Sequence, residues 1–470
     1  MLFERIYEEG LAQASYFIGC QREGKAIVVD ARRDIQTYLD LAAKNNMVIS
    51  AVTETHIHAD YLSGTRELAA ATGAEIFLSG EGGADWQYGF AGTTLMHNST
   101  IKLGNITITA KHTPGHTPEH LSFLITDGAV SKDPGFMLSG DFVFVGDVGR
   151  PDLLDEATGG VDTRFAGAQQ LFHSLKEQFL TLPDHIQVYP GHGAGSPCGK
   201  ALGAIPSTTL GYEKANAWWA PYLRSDDEAG FVEELLDDQP DAHAYFARMK
   251  KQNKQGPAVL GTLSPLVKLE AAEVVEKLGS EAVFVDTREQ NQVHLGTVVG
   301  ALNIPRGAKA SNFAAWVIDP QKYAQDLIVL APDANAAADF RDALLRVGID
   351  TVRYFTNSID GLPTFVPELI SPAELAETNY DALIDFRAKS EFAAGSIPGA
   401  QQLSGGSAMW RLNELPAGGT LVTFCQSGAR NTVVANALRR AGFTVIELEG
   451  SYAAWEKSAA NPKKNLQTAV

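Results

Sequence analysis

The stretch MVISAVTETHIHADYLSG (47–64) decides how the N-terminal half of this chain is read. It begins as an apolar run, read as a buried strand, and ends in a polar loop carrying His56, His58 and Asp60. Rigid strands that run into polar loops are where ligating and catalytic groups belong. The theme recurs in ITITAKHTPGHT (106–117), with His116, and in FMLSGDFVF (136–144), with Asp141. YPGHG (189–193) adds His192. AIVVD (26–30) is another buried strand, ending in Asp30, and IQTYLDLAAKNN (35–46) has helical spacing. Imidazole and carboxylate donors suit zinc or non-haem iron. Any one of these histidines alone would more often be structural, but an HxHxD run with three further donors at strand ends is rarely an accident.

Around these donors the composition is that of an ordinary globular protein. The 470 residues are 45% hydrophobic and 20% charged, enough for roughly two to four domains. A net charge of −18 argues against nucleic acid, which needs a basic stripe. It also gives a small anionic substrate no long-range help, so local Arg or Lys groups must attract it. The three cysteines, Cys20, Cys198 and Cys425, are too few and too scattered for a disulfide framework, and a reducing compartment is expected. The N-terminus MLFERIYEEGLAQASYFIG has no basic segment followed by an apolar core, and no apolar run reaches membrane-spanning length. A cytoplasmic protein with no membrane partner, assembling as a homo-oligomer, is the expectation.

From Thr208 to Met249 the pattern turns helical, and NKQGP (253–257) with Pro265 punctuates the chain, so a first domain is placed at 1–257. The remainder contains a repeat. AVFVDTRE (282–289) matches ALIDFRAKSEF (382–392), HLGTVVGALNIP (294–305) matches AAGSIPGAQQL (393–403), and LIVLAPDANAAADFRDALLRVGI (327–349) matches LVTFCQSGARNTVVANALRRAGF (421–443). Each unit reads as a small α/β module, placed at 264–362 and 368–462, with the prolines of IDGLPTFVPELISPAEL (359–375) between them. In the second, CQSGAR (425–430) lies between an apolar strand and a helix. A loop there turns the N–H groups of Gln426, Ser427, Gly428 and Ala429 inward and borrows the positive end of the helix. Cys425 is therefore expected as a thiolate, with Arg430 adding positive charge. In the first repeat APDANA (331–336) stands in the same place, without nucleophile or basic group, so that module is expected to be inactive and to pack, space or dock the others.

The donor pattern resembles the metallo-β-lactamase superfamily over roughly residues 1–255. Within it, THIHAD and VGDVGRPDLLD (145–155) look closest to the persulfide dioxygenases. The resemblance implies one iron(II) per chain held by His56, His116 and Asp141, a facial triad with open positions for substrate and O2. Dinuclear hydrolases of the superfamily read HxHxDH, and here Tyr61 replaces the last histidine. A phenol, with a pKa of about 10, is a poor metal ligand at neutral pH. His58, Asp60 and His192 are expected to orient ligands or hold solvent. Arg150 resembles the residue that holds the substrate's anionic part, a surface ion pair being the alternative. Cys198 could touch the substrate but reads more simply as inert, while His112, His120 and Cys20 read as structural.

The CQSGAR loop together with IDFRAKSEFAAGSIPGA (384–400) resembles a rhodanese domain, with Asp385 and Arg387 matching its structural DxR motif. The expected architecture is α/β multidomain: an αββα metallo-β-lactamase sandwich followed by two rhodanese-like modules. The implied chemistry is oxidation of a small thiol persulfide by O2 to sulfite, with Cys425 moving sulfane sulfur to give thiosulfate. A zinc-dependent thioester hydrolase of the glyoxalase II kind, fused to a sulfurtransferase, is the alternative. A sulfur-carrier module without enzymatic activity is a third reading.

Overall fold

Alternating burial shows how the N-terminal strands are used. Along Gln13–Cys20, Tyr16, Ile18 and Cys20 enter one buried cluster while Phe17 enters another, so both faces of the strand are covered. The computed structural model describes residues 1–153 and 163–460. Leu154 and Asp155 of the 145–155 motif, and residues 461–462 at the end of the last expected module, lie outside the described residues.

Two compact units result. The first comprises Met1–Ala242 and Phe246–Leu263. It holds two six-stranded sheets, each built in chain order, one from Leu2–Glu8 to Thr93–Leu95 and one from Thr100–Leu103 to Thr208–Thr209. Ile18, Ile27 and Val29 of one sheet meet Ile106, Phe123 and Leu138 of the other in a shared core. Tyr38 and Leu68 cover the outer face of the first sheet, and Phe172, Phe179 and Trp219 cover that of the second. This is the expected αββα layering. Each fully buried Leu or Phe contributes roughly 1.5–3 kcal/mol, which lets strand ends carry polar groups that do not themselves stabilise the fold.

The expected strand at 136–144 stops at Gly140, where φ is +52°. A Cβ there would lie 2.6 Å from His120 Nε2 and 2.7 Å from Thr55 Cβ, so only glycine allows the turn that carries Asp141 inward. The helical segment at 35–46 spans Gln36–Lys44.

The second unit takes in His243–Tyr245 and the chain from Ser264 onward. It contains two five-stranded parallel sheets with one strand order. The first runs Val267–Lys268, Val352–Thr356, Leu327–Leu330, Val283–Asp286, Leu302–Asn303, and the second Leu369–Ile370, Thr444–Leu448, Thr420–Phe424, Ala382–Asp385, Gln401–Gln402. Parallel strands covered on both faces explain the unbroken apolar runs LIVL and TLVTF. The repeat extends to the polar interior. Arg387 donates to Asp385 Oδ2 at 2.7 Å and to the Gly395 carbonyl at 2.7 Å, and Arg288 makes the same pair to Asp286 (2.6 Å) and Gly296 (2.8 Å). The DxR motif is thus an internal brace in both modules. Among the described residues no helix is long and apolar enough to cross a membrane.

Candidate metal centre and cysteine loop

His56, His116 and Asp141 offer one ligand atom each within 4.8 Å of one another, all buried. Nε2 of His116 lies 3.6 Å and Nε2 of His56 3.9 Å from Asp141 Oδ2. That oxygen is buried without a hydrogen-bond partner. The other ring nitrogens are engaged. His116 Nδ1 donates to the Arg150 carbonyl at 2.9 Å, which fixes the tautomer and leaves the Nε2 lone pair facing the cluster, and His56 Nδ1 meets Thr55 Oγ1 at 2.9 Å. Burial holds both imidazoles neutral, pushing His116 down to about 4 and His56 well below its ordinary value. Burial alone would raise Asp141, but the His192 imidazole overrides it and keeps the carboxyl well below the usual range. Neutral nitrogens around an orphaned carboxylate oxygen are the deprotonated donor set a divalent cation requires, so these residues fit a metal.

The remaining donors are arranged behind this set. His192 donates from Nδ1 to Asp141 Oδ1 at 2.7 Å and from Nε2 to Asp60 Oδ2 at 2.8 Å. Burial disfavours its charge, but the Asp141 and Asp60 carboxylates more than compensate and raise its pKa well above normal. Asp60, His192 and Cys198 form a second buried donor group. Burial pushes the Cys198 thiol up to about 11, so it stays protonated. His58 packs beside His56 but is not part of the donor set, its Nε2 lying 3.0 Å from Asp30 Oδ1. The Tyr61 hydroxyl donates to the Asp30 carbonyl at 3.2 Å, and burial raises its phenol well above 10. His120 Nε2 accepts the Asp141 N–H at 3.1 Å, and His112 Nε2 donates to the Pro118 carbonyl at 2.8 Å. Cys20 is buried beside Asn105.

Arg150 differs from what the resemblance implies. Its guanidinium is fully buried, chelated by the Asp152 carboxylate, and donates to the carbonyls of Pro197 (3.0 Å) and Pro240 (2.7 Å). With its charge matched and four of its five N–H groups engaged within the protein, it braces neighbouring loops.

Sequence reasoning missed three residues here. Asp30 ties the HxHxD loop together, accepting from Thr55 N (2.7 Å) and Thr55 Oγ1 (3.0 Å) as well as facing His58. Its signal was an acid closing an all-apolar strand. Asn253, at the start of the NKQGP stretch that punctuates the chain, is buried and clamps the same loop by donating to the carbonyls of His58 (2.8 Å) and Tyr61 (2.7 Å). Lys250, one turn earlier, is buried over the Trp86 ring, and burial lowers its ammonium to about 8 against the pull of Glu119. Nothing local in MKKQNKQ announces either role.

In the last module Cys425 follows the strand Thr420–Phe424 and precedes the helix Ala429–Arg440. The Gly428 N–H donates to its Sγ at 3.1 Å. Gln426 is held by Arg387 at 3.3 Å. Arg430 lies against the sulfur, but its guanidinium forms a two-point pair with Glu391 (2.6 and 2.8 Å), so much of the expected positive charge is offset. In the matching loop of the other module Ala331 replaces the cysteine, and Asp333 turns its carboxylate onto the helix start, accepting from Ala336 N at 2.9 Å. Gly428 has φ +110°, and a Cβ there would lie 2.6 Å from Gln290 Oε1. Gly428→Ala is expected to lower stability by ~2 kcal/mol, read as a shift in the urea midpoint without a change in slope.

Comparison with known proteins places both parts of the chain in families. Residues 9–192 match the metallo-β-lactamase superfamily and residues 371–458 a rhodanese-like domain. The mouse mitochondrial persulfide dioxygenase ETHE1 is 27% identical over 198 residues, 41% of this chain and 68% of that protein. A probable polyketide biosynthesis zinc-dependent hydrolase, BaeB of Bacillus velezensis, is 23% identical over 210 residues, 44% of this chain and 85% of its own. The crystal structure of a metallo-β-lactamase from Staphylococcus aureus subsp. aureus COL is 38% identical, covering 75% of this chain and 98% of that one, with a TM-score of 0.66. The chain belongs to the metallo-β-lactamase superfamily, with a domain homologous to the ETHE1 persulfide dioxygenases followed by a C-terminal rhodanese-like domain.

Proposed function

We propose that the chain oxidises the terminal sulfur of a low-molecular-weight persulfide to sulfite, and moves sulfane sulfur through Cys425 to give thiosulfate. The observation that carries this reading is the unpartnered Asp141 Oδ2 facing Nε2 of His56 and His116. Two imidazoles and one carboxylate suit non-haem iron(II) and leave coordination positions open. Iron(II) bound there would supply the oxygen activation. The protein's part is to keep both imidazoles neutral, to keep Asp141 ionised through His192, and to tie Tyr61 to the Asp30 carbonyl, so that no phenolate reaches the site. Persulfide, O2 and water then give thiol, sulfite and two protons.

At the second site the Cys425 sulfur attacks the terminal sulfur of another persulfide. The S–S bond breaks and the carrier thiol leaves with the electron pair. Sulfite next attacks the outer sulfur on Cys425, releasing thiosulfate and restoring the cysteine. The Gly428 N–H, already aimed at Sγ, stabilises the sulfur anion at each stage.

The likeness to a probable zinc-dependent hydrolase supports a second reading, a two-metal zinc thioester hydrolase fused to a sulfurtransferase, in which Asp60 and His192 would have to give up their mutual hydrogen bond to a second ion. Metal analysis and oxygen electrodes separate the two. About one iron per chain and O2 uptake on adding glutathione persulfide are expected. Two tightly held zinc ions per chain with no O2 uptake would overturn the oxygenase.

A further inference from the structure

The cavity beside Cys425 is built by both repeats of the second unit. It is an open pocket of about 620 Å³, with the Cys425 loop on one side and Arg306, Lys309 and Phe313 of the cysteine-less repeat on the other. Glu289 also lines it. The two repeats are interlocked at this point. Gln290 Nε2 donates to the Ser427 carbonyl at 3.0 Å, Arg440 Nη1 donates to the Gly300 carbonyl at 2.8 Å, and His294 Nε2 lies 3.2 Å from Glu447 Oε2. Gly428 lacks a side chain where Gln290 approaches. The cysteine-less repeat is therefore held in a fixed position over the sulfur.

Charge distinguishes the two walls. Arg430, the cation belonging to the loop, is paired with Glu391. Arg306 and Lys309 are exposed and have no ion pair or side-chain hydrogen bond among the described residues. Even with Glu289 set against them the facing wall stays net positive, in a chain whose overall charge is −18. Unpaired cations lining a pocket beside a sulfur nucleophile, on an otherwise acidic protein, are a local attractor for anions.

Resting on the reading that Cys425 carries sulfur, we infer that Arg306 and Lys309 form the anion-binding half of the sulfur-transfer site. The repeat without a cysteine is then a substrate-binding subunit of that site rather than a spacer. The ligand class is an anionic sulfane-sulfur compound: thiosulfate itself, or an organic persulfide bearing carboxylates. The volume is in the range that holds a whole organic ligand, so either source fits. With thiosulfate, the Cys425 sulfur attacks the outer sulfur, the bond to the sulfonate sulfur breaks, and sulfite leaves with the electron pair. The departing dianion is the charge Arg306 and Lys309 would stabilise.

Two measurements on the full chain test this. Alkylation of Cys425 by iodoacetate and by iodoacetamide, followed by peptide mass mapping, gives a rate ratio in which thiol ionisation cancels. Arg306→Ala/Lys309→Ala is expected to lower that ratio about fivefold, and Arg306→Lys/Lys309→Arg to keep most of it. An unchanged ratio would overturn the inference whether or not the enzyme turns over. In sulfur transfer to cyanide, the double alanine variant is expected to raise KM about tenfold for an anionic donor, with a smaller change for the neutral 2-mercaptoethanol persulfide. A rise with thiosulfate alone identifies the inorganic source, and one with glutathione persulfide alone the organic source. An equal loss with the neutral persulfide means the loop was damaged, and the inference fails. Absence of persulfide-dependent O2 uptake in the wild type would count against the dioxygenase reading and leave the alkylation result standing.

Discussion

His116→Ala and Asp141→Asn are each expected to leave the purified chain essentially free of iron, with affinity down at least about a hundredfold and persulfide-dependent O2 uptake lost with it. A set of three protein donors has no spare member. Asparagine is the sharper probe at 141. Its carbonyl can still accept from His192 Nδ1, where Asp141 Oδ1 accepts at 2.7 Å, so the fold is preserved. Its amide hydrogens would point at Nε2 of His56 and His116, the two atoms meant to face the metal. Metal analysis of the folded variants, confirmed by circular dichroism, checks this. Retention of about one iron by a folded Asp141→Asn protein would show that the ligand set is wrong.

Cys425→Ser should separate the two activities. All three proposed metal donors belong to the first unit, so persulfide-dependent O2 uptake should persist. Sulfur transfer should fall by at least about a thousandfold, because a serine hydroxyl is protonated at neutral pH and is a poor sulfur acceptor. Ala331 stands where the other repeat would need a nucleophile, so that loop is not expected to mask the loss. Sulfite should accumulate at the expense of thiosulfate, once the slow reaction of sulfite with free persulfide is subtracted. An unchanged thiosulfate-to-sulfite ratio would mean that Cys425 serves another acceptor. Residual transfer to cyanide would mean that the two loops were misaligned.

The parts of this molecule legible in its sequence are those written in local pattern. Strands running into His- and Asp-bearing loops announced the first site, because each donor sits within a few residues of the strand that aims it. The repeat was legible for the same reason, and even the Asp286–Arg288 and Asp385–Arg387 braces lie within one short motif. Partnerships across long sequence separations were not legible. Asn253 reaches back to His58 and Tyr61 from a segment that only punctuates the sequence, and Arg150, beyond its near neighbour Asp152, donates to the distant carbonyls of Pro197 and Pro240. Arg306 and Lys309 carried no signal, since their meaning comes only from the surface of the other repeat that they face.

The carboxylate of Asp333 makes the silence of the cysteine-less loop harder to reverse than a missing sulfur suggests. In the other repeat the start of the helix is open to a sulfur anion; here a built-in anion already occupies the Ala336 N–H. A cysteine restored at position 331 would meet a self-quenched helix end and a neighbouring negative charge that favours its protonated form. Re-arming the loop therefore calls for removing the Asp333 carboxylate as well as restoring a cysteine. That arrangement acts as a ratchet, holding this repeat to service as a wall for its neighbour's chemistry.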